Sequence, residues 1–250
     1  MGTEELTENL SAVLSGGNGY VSWSLLPMTP TLHSYIEVLL DSPEFFVMFW
    51  NSIKIAVGIL LGQCLISIPA AWGFARFKFR FHKVLFFLYI ILMMMPFQVT
   101  MLSNYLVMNE LKLMDTLWAI ILPGIFSTFP VFIMFNFFRG IPETLLEAAR
   151  IDGAGELLIF LKIGIPLGQS GIISAIVLGF LEYWNLIEQP MTFLKDKTLW
   201  PLSLFLPNIG TDQLQMAFAA SVITLIPSVL VFAAGHDYLE QGIASIGIKE

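Results

Sequence analysis

Five stretches of about 20 apolar residues run along this chain, near residues 45–72, 84–106, 115–138, 165–187 and 215–234. A helix of that length crosses the hydrocarbon of a bilayer. Backbone N–H and C=O groups find no water there, so such stretches must bond internally, as helices or closed barrels. The expectation is an all-α integral membrane protein with five transmembrane helices. Composition agrees: the chain is 56% hydrophobic and 12% charged, against about 45–50% and about 25% in soluble domains.

Several functions are excluded at once. With one cysteine, Cys64, there is no intrachain disulfide and no thiolate cluster. His33, His82 and His236 stand far apart, and no metal-binding spacing occurs. A net charge of −7 excludes nucleic acid as a partner, since phosphate backbones select basic surfaces. No GxxxxGK[ST] loop is present, so no ATPase site of that kind is expected.

Lysine and arginine in short loops set orientation. Arg76, Lys78, Arg80 and Lys83 follow the first span; Arg139, Arg150 and Lys162 follow the third; Lys249 closes the chain. These eight should be cytoplasmic, against Lys112, Lys195 and Lys197 outside. Residues 1–44 carry six acids and no lysine or arginine, and read as an external segment before a membrane domain at 45–250. The C-terminus is then cytoplasmic. Arg76 and its neighbours read simply as topology determinants. Residues 188–213 read as a long loop. Pro96, Pro123, Pro130 and Pro227 should bend their spans, either around a cavity or as ordinary irregular packing.

Residues 141–166, IPETLLEAARIDGAGELLIFLKIGIP, form a polar interlude between two spans. Pro142 and then Glu143 suit a helix start. At 100° per residue, Glu143, Glu147 and Arg150 share a stripe, with Leu145, Ala148 and Ala149 on the broad opposite side. Asp152-Gly153 ends the helix, since glycine accepts the left-handed conformation there. A second short helix runs from Glu156 to about Ile163. Such a helix either docks into a groove on a soluble partner or lies on lipid headgroups.

The run Glu147-Ala148-Ala149, then Gly153, Ile163 and Pro166, resembles the Glu-Ala-Ala signature of bacterial ABC importer permeases. The form EAARIDGA is similar to the carbohydrate-uptake branch, of the maltose-permease type. Asn51-Ser52, Met95-Pro96, Gln98, Leu122-Pro123, Asn136, Trp184-Asn185, Pro190 and the ending Gly242…Gly247-x-Lys249 match the same family. Ile165 replaces the usual leucine, and Gln169 and Ser170 replace a closing proline. The family has six spans. Pro27, Pro30, Thr31 and Tyr35 match the stretch that follows its first helix, so the expectation here is five, one fewer.

The resemblance implies a permease subunit in a bacterial inner membrane, paired with a second homologous permease. It also implies two ATP-binding subunits holding ATP and Mg, an extracytoplasmic solute-binding protein and a sugar substrate. The chain itself would bind no cofactor. Glu143, Glu147, Ala148, Ala149, Arg150, Asp152, Gly153 and Ala154 would form the ATPase-coupling segment. Gln98, Asn104, Glu182, Trp184 and Asn185 are candidates for the substrate path, with an interfacial aromatic belt as the alternative for Trp184. The competing function is a secondary carrier driven by an ion gradient. Such carriers place charges mid-membrane and use inverted repeats; few such charges and no such repeats occur here.

Overall fold

The computed structural model describes residues 32–206 and 214–247, with side chains of 214 and 241–247 left undescribed. The N-terminal residues up to 31 and, of the closing pattern, Lys249 therefore lie outside the described residues. Among the described residues every regular element is helical. The expected all-α membrane class is what the structure shows.

After two short turns, α1 runs Pro43–Arg76. Its 34 residues reach roughly 50 Å at 1.5 Å per residue, longer than the hydrocarbon is thick, so its end projects beyond the apolar layer. α2 is His82–Met93 and α3 is Phe97–Glu110. α4 is Trp118–Ile125 and α5 is Phe129–Gly140, which together make one apolar span, Trp118–Gly140. α6 is Glu143–Ile151, α7 is Glu156–Leu167, α8 is Gln169–Trp184, α9 is Glu188–Phe193 and α10 is Leu214–Gly247.

Three helices, Pro43–Arg76, Trp118–Gly140 and Gln215–Glu240, are long and apolar enough to cross a membrane alone. Five crossings result if each of two bent pairs counts as one. The expected second span is not one kinked helix: α2 and α3 meet at 100°. Pro96 has no N–H and its ring excludes the carbonyl four residues back, so the helix stops at Met93 and restarts at Phe97. The expected fourth span also begins earlier, with α7, and bends 66° into α8. The bend is at Gly168, where a Cβ would lie 2.2 Å from Phe138 Cε1.

The core is α1 against α4, α5 and α8, with α8 also against α10. Lipid removes the hydrophobic drive between helices, so close backbone approach carries the packing. α1 supplies it with Gly58 and Gly62. A Cβ on Gly62 would stand 2.4 Å from Ile125 Cγ1, and one on Gly124 would stand 2.8 Å from Ile59 Cδ1. Each helix thus presents a glycine to the other's isoleucine. Beside this contact Gln63 Nε2 donates to the Gly124 carbonyl at 2.8 Å and to the Tyr183 hydroxyl at 3.0 Å. That carbonyl sits where α4 gives way to α5 and also accepts the Ser127 N–H at 3.2 Å, so the buried amide adds a second bond to the backbone at the break.

The expected loop at 188–213 is largely ordered structure up to residue 206. α9 folds back onto α4, with Gln189 buried and its amide donating to the Ala119 carbonyl at 3.3 Å. The carboxylate of Asp115 accepts the N–H groups of Lys195 and Asp196 at 2.8 and 2.9 Å. Asn51 donates to the Thr198 carbonyl at 2.7 Å, and Ser52 Oγ accepts the Leu202 N–H at 2.8 Å. Short-range composition pointed to a loop because these bonds join residues about 80 and 150 positions apart.

Candidate functional site: the helix between two spans

At the opposite end from Asp115, the α5 helix stops at Gly140 and the chain turns through Ile141 and Pro142 into α6. α6 ends in a Schellman cap. Gly153 takes φ +84°, its N–H bonds to the Arg150 carbonyl at 3.0 Å, and the Ala154 N–H bonds to the Ala149 carbonyl at 2.9 Å. This cap accounts for the spacing of the signature. Ala149 supplies the capped carbonyl, Gly153 the left-handed turn and Ala154 the closing N–H. The two alanines pack into the same apolar cluster.

One leucine roots the helix. Leu146 is fully buried, with Trp72, Phe138 and Ile159 in its cluster. On the side opposite the charged stripe, Leu145 is 45% exposed, Ala148 is exposed and Ala149 is half-buried. The charged stripe divides: Glu143 bonds to Arg76 of α1 on the side where Leu146 enters the core, whereas Glu147 faces outward.

Arg76 is the residue that sequence reasoning missed. Its side chain is 6% exposed, and Nη1 donates to Glu143 Oε2 at 3.1 Å. Nη2 donates to the Phe138 carbonyl and, at 2.7 Å, to that of Ile141. Its guanidinium also lies 5.5 Å from the Trp72 ring centroid, within cation–π range. Glu143 continues the chain of charge: its Oε1 accepts from Arg150 Nη1 at 3.0 Å, and Arg150 Nε donates to Glu156 Oε1 at 2.7 Å. Four alternating charges thus join α1, α6 and α7. The Arg150 hydrogen bond, with the nearby Arg76 and Arg150 charges, holds the Glu143 carboxyl below its ordinary range. The signal in the sequence was there, in a cation just past an apolar run and an acid opening the next polar segment, but 67 residues separate the two.

The remaining face of α6 is free of the bundle. Glu147 is exposed and, among the described residues, makes no hydrogen bond or ion pair. Ala148 and Asp152 are exposed beside it, and Ile151, a large apolar residue, is 86% exposed. Together these residues form a face of α6 that the rest of the chain leaves uncovered.

The candidates for a substrate path are scattered. Gln98 is exposed in the first turn of α3 and Asn104 half-buried further along it. Glu182 and Asn185 are exposed at the end of α8, with the Asn185 amide donating to the Leu181 carbonyl at 2.8 Å. Among the described residues no hydrogen bond links the α3 pair to the α8 pair. Trp184 stands apart. It is 1% exposed, stacks on Phe180 and meets Phe49 edge-on, and its indole N–H donates to the Thr224 carbonyl at 3.0 Å. In this conformation it is a core residue, neither open to a solute nor part of a surface belt.

A helical membrane bundle that holds a short, capped helix at one end, with one face uncovered, is the architecture of an ABC importer permease subunit. Similarity to known proteins makes the assignment specific. Residues 63–245 match the family described as the binding-protein-dependent transport system inner membrane component, and the chain belongs to it. It is 30% identical over 226 residues to the arabinooligosaccharides transport system permease protein AraQ of Halalkalibacterium halodurans, spanning 89% of this chain and 81% of that one. It is 29% identical over 230 residues to the sn-glycerol-3-phosphate transport system permease protein UgpE of Salmonella choleraesuis, spanning 88% and 82%. The crystal structure of a bacterial ABC transporter involved in the import of the acidic polysaccharide alginate has the same fold. The TM-score is 0.77 at 22% identity, over 95% of this chain and 98% of that one.

Proposed function

We propose that this permease forms half of a translocation pore for a sugar or oligosaccharide and is driven by separate ATPase subunits that dock on α6. The observation that carries the reading is the outward face of α6, where Glu147, Ala148 and Ile151 stand free while Leu146 holds the helix from behind. Small residues allow close approach, the isoleucine fills an apolar pocket, and the Glu147 carboxylate accepts a charge-assisted hydrogen bond from a partner arginine. The chain carries no nucleotide-binding loop of its own, so ATP and Mg belong to the partners. The basic end, with Arg76, Lys78, Arg80 and Lys83 beside the α6 network, is the cytoplasmic side by the distribution of cations, as is the C-terminus. The opposite end, with Asp115 and the 188–206 segment, then faces the solute-binding protein.

A second permease fits the surface left uncovered. Only 11% of the most apolar stretch of α10 is buried by the rest of the chain, and Phe87, Leu88, Leu92 and Leu102 on α2 and α3 are likewise exposed. Carbohydrate is supported by the EAARIDGA form and by two named relatives, an arabinooligosaccharide system and an alginate importer. The glycerol-3-phosphate relative keeps a polyol phosphate as the second substrate class. On this reading Gln98, Asn104, Glu182 and Asn185 are the polar groups nearest the path, and Trp184 supports it from the core.

The test is uptake in proteoliposomes holding this chain, its partner permease, the ATPase pair and the binding protein. Arabinotriose, an alginate oligosaccharide and sn-glycerol 3-phosphate serve as probes, with and without ATP, and with Glu147→Lys. Uptake of one sugar that requires ATP, and falls at least tenfold with Glu147→Lys, supports the proposal. Uptake that persists without ATP overturns the ATP-driven reading.

A further inference from the structure

We propose that Arg76 is a positioning residue that makes the cytoplasmic end of α1 and the docking helix α6 move as one body. This inference rests on the docking role of α6 and adds the part that carries its motion into the membrane.

On its own, α6 has no firm seat. Nine residues are too few to hold a helix by propensity, and a single buried leucine is a pivot rather than a clamp. A force applied at Glu147 or Ile151 would rotate α6 about Leu146 unless something resists. Arg76 supplies the resistance. Its fork grips the last carbonyl groups of α5 and the linker, at Phe138 and Ile141, and at the same time the Glu143 carboxylate in the first turn of α6. Three acceptors, one each on α5, the linker and α6, are thereby fixed to one side chain of α1, which itself lies over Trp72. Trp72 packs edge-on against Phe138 and, at a tilt of 45°, against Phe160 of α7, and Gly164 lets α7 come close, since a Cβ there would lie 2.6 Å from Trp72 Cζ3. Arg150, bridging Glu143 to Glu156, holds the far end of α6 to α7 in the same way.

The neighbouring cations provide an internal contrast. Lys78, Arg80 and Lys83 lie within seven positions of Arg76 and are exposed, with no acidic partner among the described residues. Positive charge for topology is therefore available without Arg76. What Arg76 contributes is a planar fork with fixed donor geometry, which a lysine cannot reproduce.

The test uses the full transporter with Cys64 replaced by serine and spin labels at Phe77, just past Arg76, and at Ile151. Distance distributions are recorded without nucleotide and in the ATP–vanadate trapped state. The unmodified clamp should give one narrow distribution, the same in both states. Arg76→Lys, which keeps the charge, should broaden it and make it state-dependent, and should lower solute-dependent stimulation of ATP hydrolysis severalfold. Glu143→Gln, a change at a half-exposed site that leaves the carbonyl bonds of Arg76 intact, should broaden it less. Lys78→Gln should leave it narrow. Distributions for Arg76→Lys as narrow as the parent's in both states would overturn the proposal. Should label mobility at Ile151 show no restriction on adding the ATPase subunits, the docking reading itself falls, and this inference with it.

Discussion

Gly62→Ala is the sharpest test of how this bundle packs. The added Cβ would lie 2.4 Å from Ile125 Cγ1 and 2.5 Å from its Cδ1, whereas ordinary contact begins at 3.4 Å. One side must therefore retreat by about 1 Å, the difference 3.4 − 2.4. Ile125 cannot simply rotate, because its Cγ2 is also 3.0 Å from the new atom, and a β-branched side chain in a helix has essentially one rotamer. The helices must then separate, which also loosens the reciprocal Gly124–Ile59 contact. Forcing a methyl into a packed core costs about 1–3 kcal/mol. Helix propensity should return little of this, since the reference state in lipid is already helical. Reversible unfolding in mixed micelles should show the loss directly. Ile125→Ala removes the opposing Cγ and Cδ atoms, so the double variant should recover more than the sum of the single effects predicts. A loss below about 0.5 kcal/mol for Gly62→Ala, or an additive cycle, would refute the close-approach argument.

The same geometry sets three further outcomes. Gln63→Leu removes the amide's bonds to the Gly124 carbonyl and the Tyr183 hydroxyl, which keep each other and the Ser127 N–H as partners, and should cost about 0.6 kcal/mol in the same unfolding assay, the average for such bonds within a membrane. Gly153→Ala forces a left-handed alanine, costing about 1–2 kcal/mol; proteolysis between α6 and α7 should speed up while the spans stay intact. Glu143 has its pKa depressed in the folded chain, by the Arg150 hydrogen bond foremost. Its contribution is therefore complete above the ordinary value of 4.5 and lost as pH falls below that. A spin label at Ile151 should keep its mobility from pH 7 to pH 5 and loosen only below that window.

How much of this was legible in the sequence depends on the distance over which the decisive contact acts. Apolar runs announce spans locally, and the family signature was readable because its cap is local: Ala149, Gly153 and Ala154 close one turn. Pro96 marked a bend, but not its size, since the angle depends on what α3 packs against after the break. A helical wheel gives the charged stripe of α6 but not which edge of it meets the bundle, because that is set by the Arg76–Glu143 pair, 67 residues apart. The 188–206 segment looked like loop because its anchors, Asn51, Ser52 and Asp115, come from other spans. The Gly58–Gly62 pair has the spacing of a helix-contact motif, and that signal could have been read in advance. Trp184 was placed on the path by residue type alone, and burial overrode type.

Arg76 also shows why counting cations and locating them answer different questions. Orientation in a bilayer depends on where positive charge accumulates, and in that sum Arg76, Lys78, Arg80 and Lys83 are interchangeable. Position relative to the end of α1 is not. Lys78 comes after the helix has ended at Arg76 and extends into water. Arg76 is its last residue, on the turn that still holds Trp72, and from there its side chain reaches the carbonyl groups that end α5. A helix end with bare carbonyls attracts a cation; one offering two carbonyls and a carboxylate within reach of a single fork selects arginine. The same residue that counts toward the charge bias is thereby bound to α6, the helix proposed to receive the ATPase. A change that preserves topology perfectly can still disconnect the two.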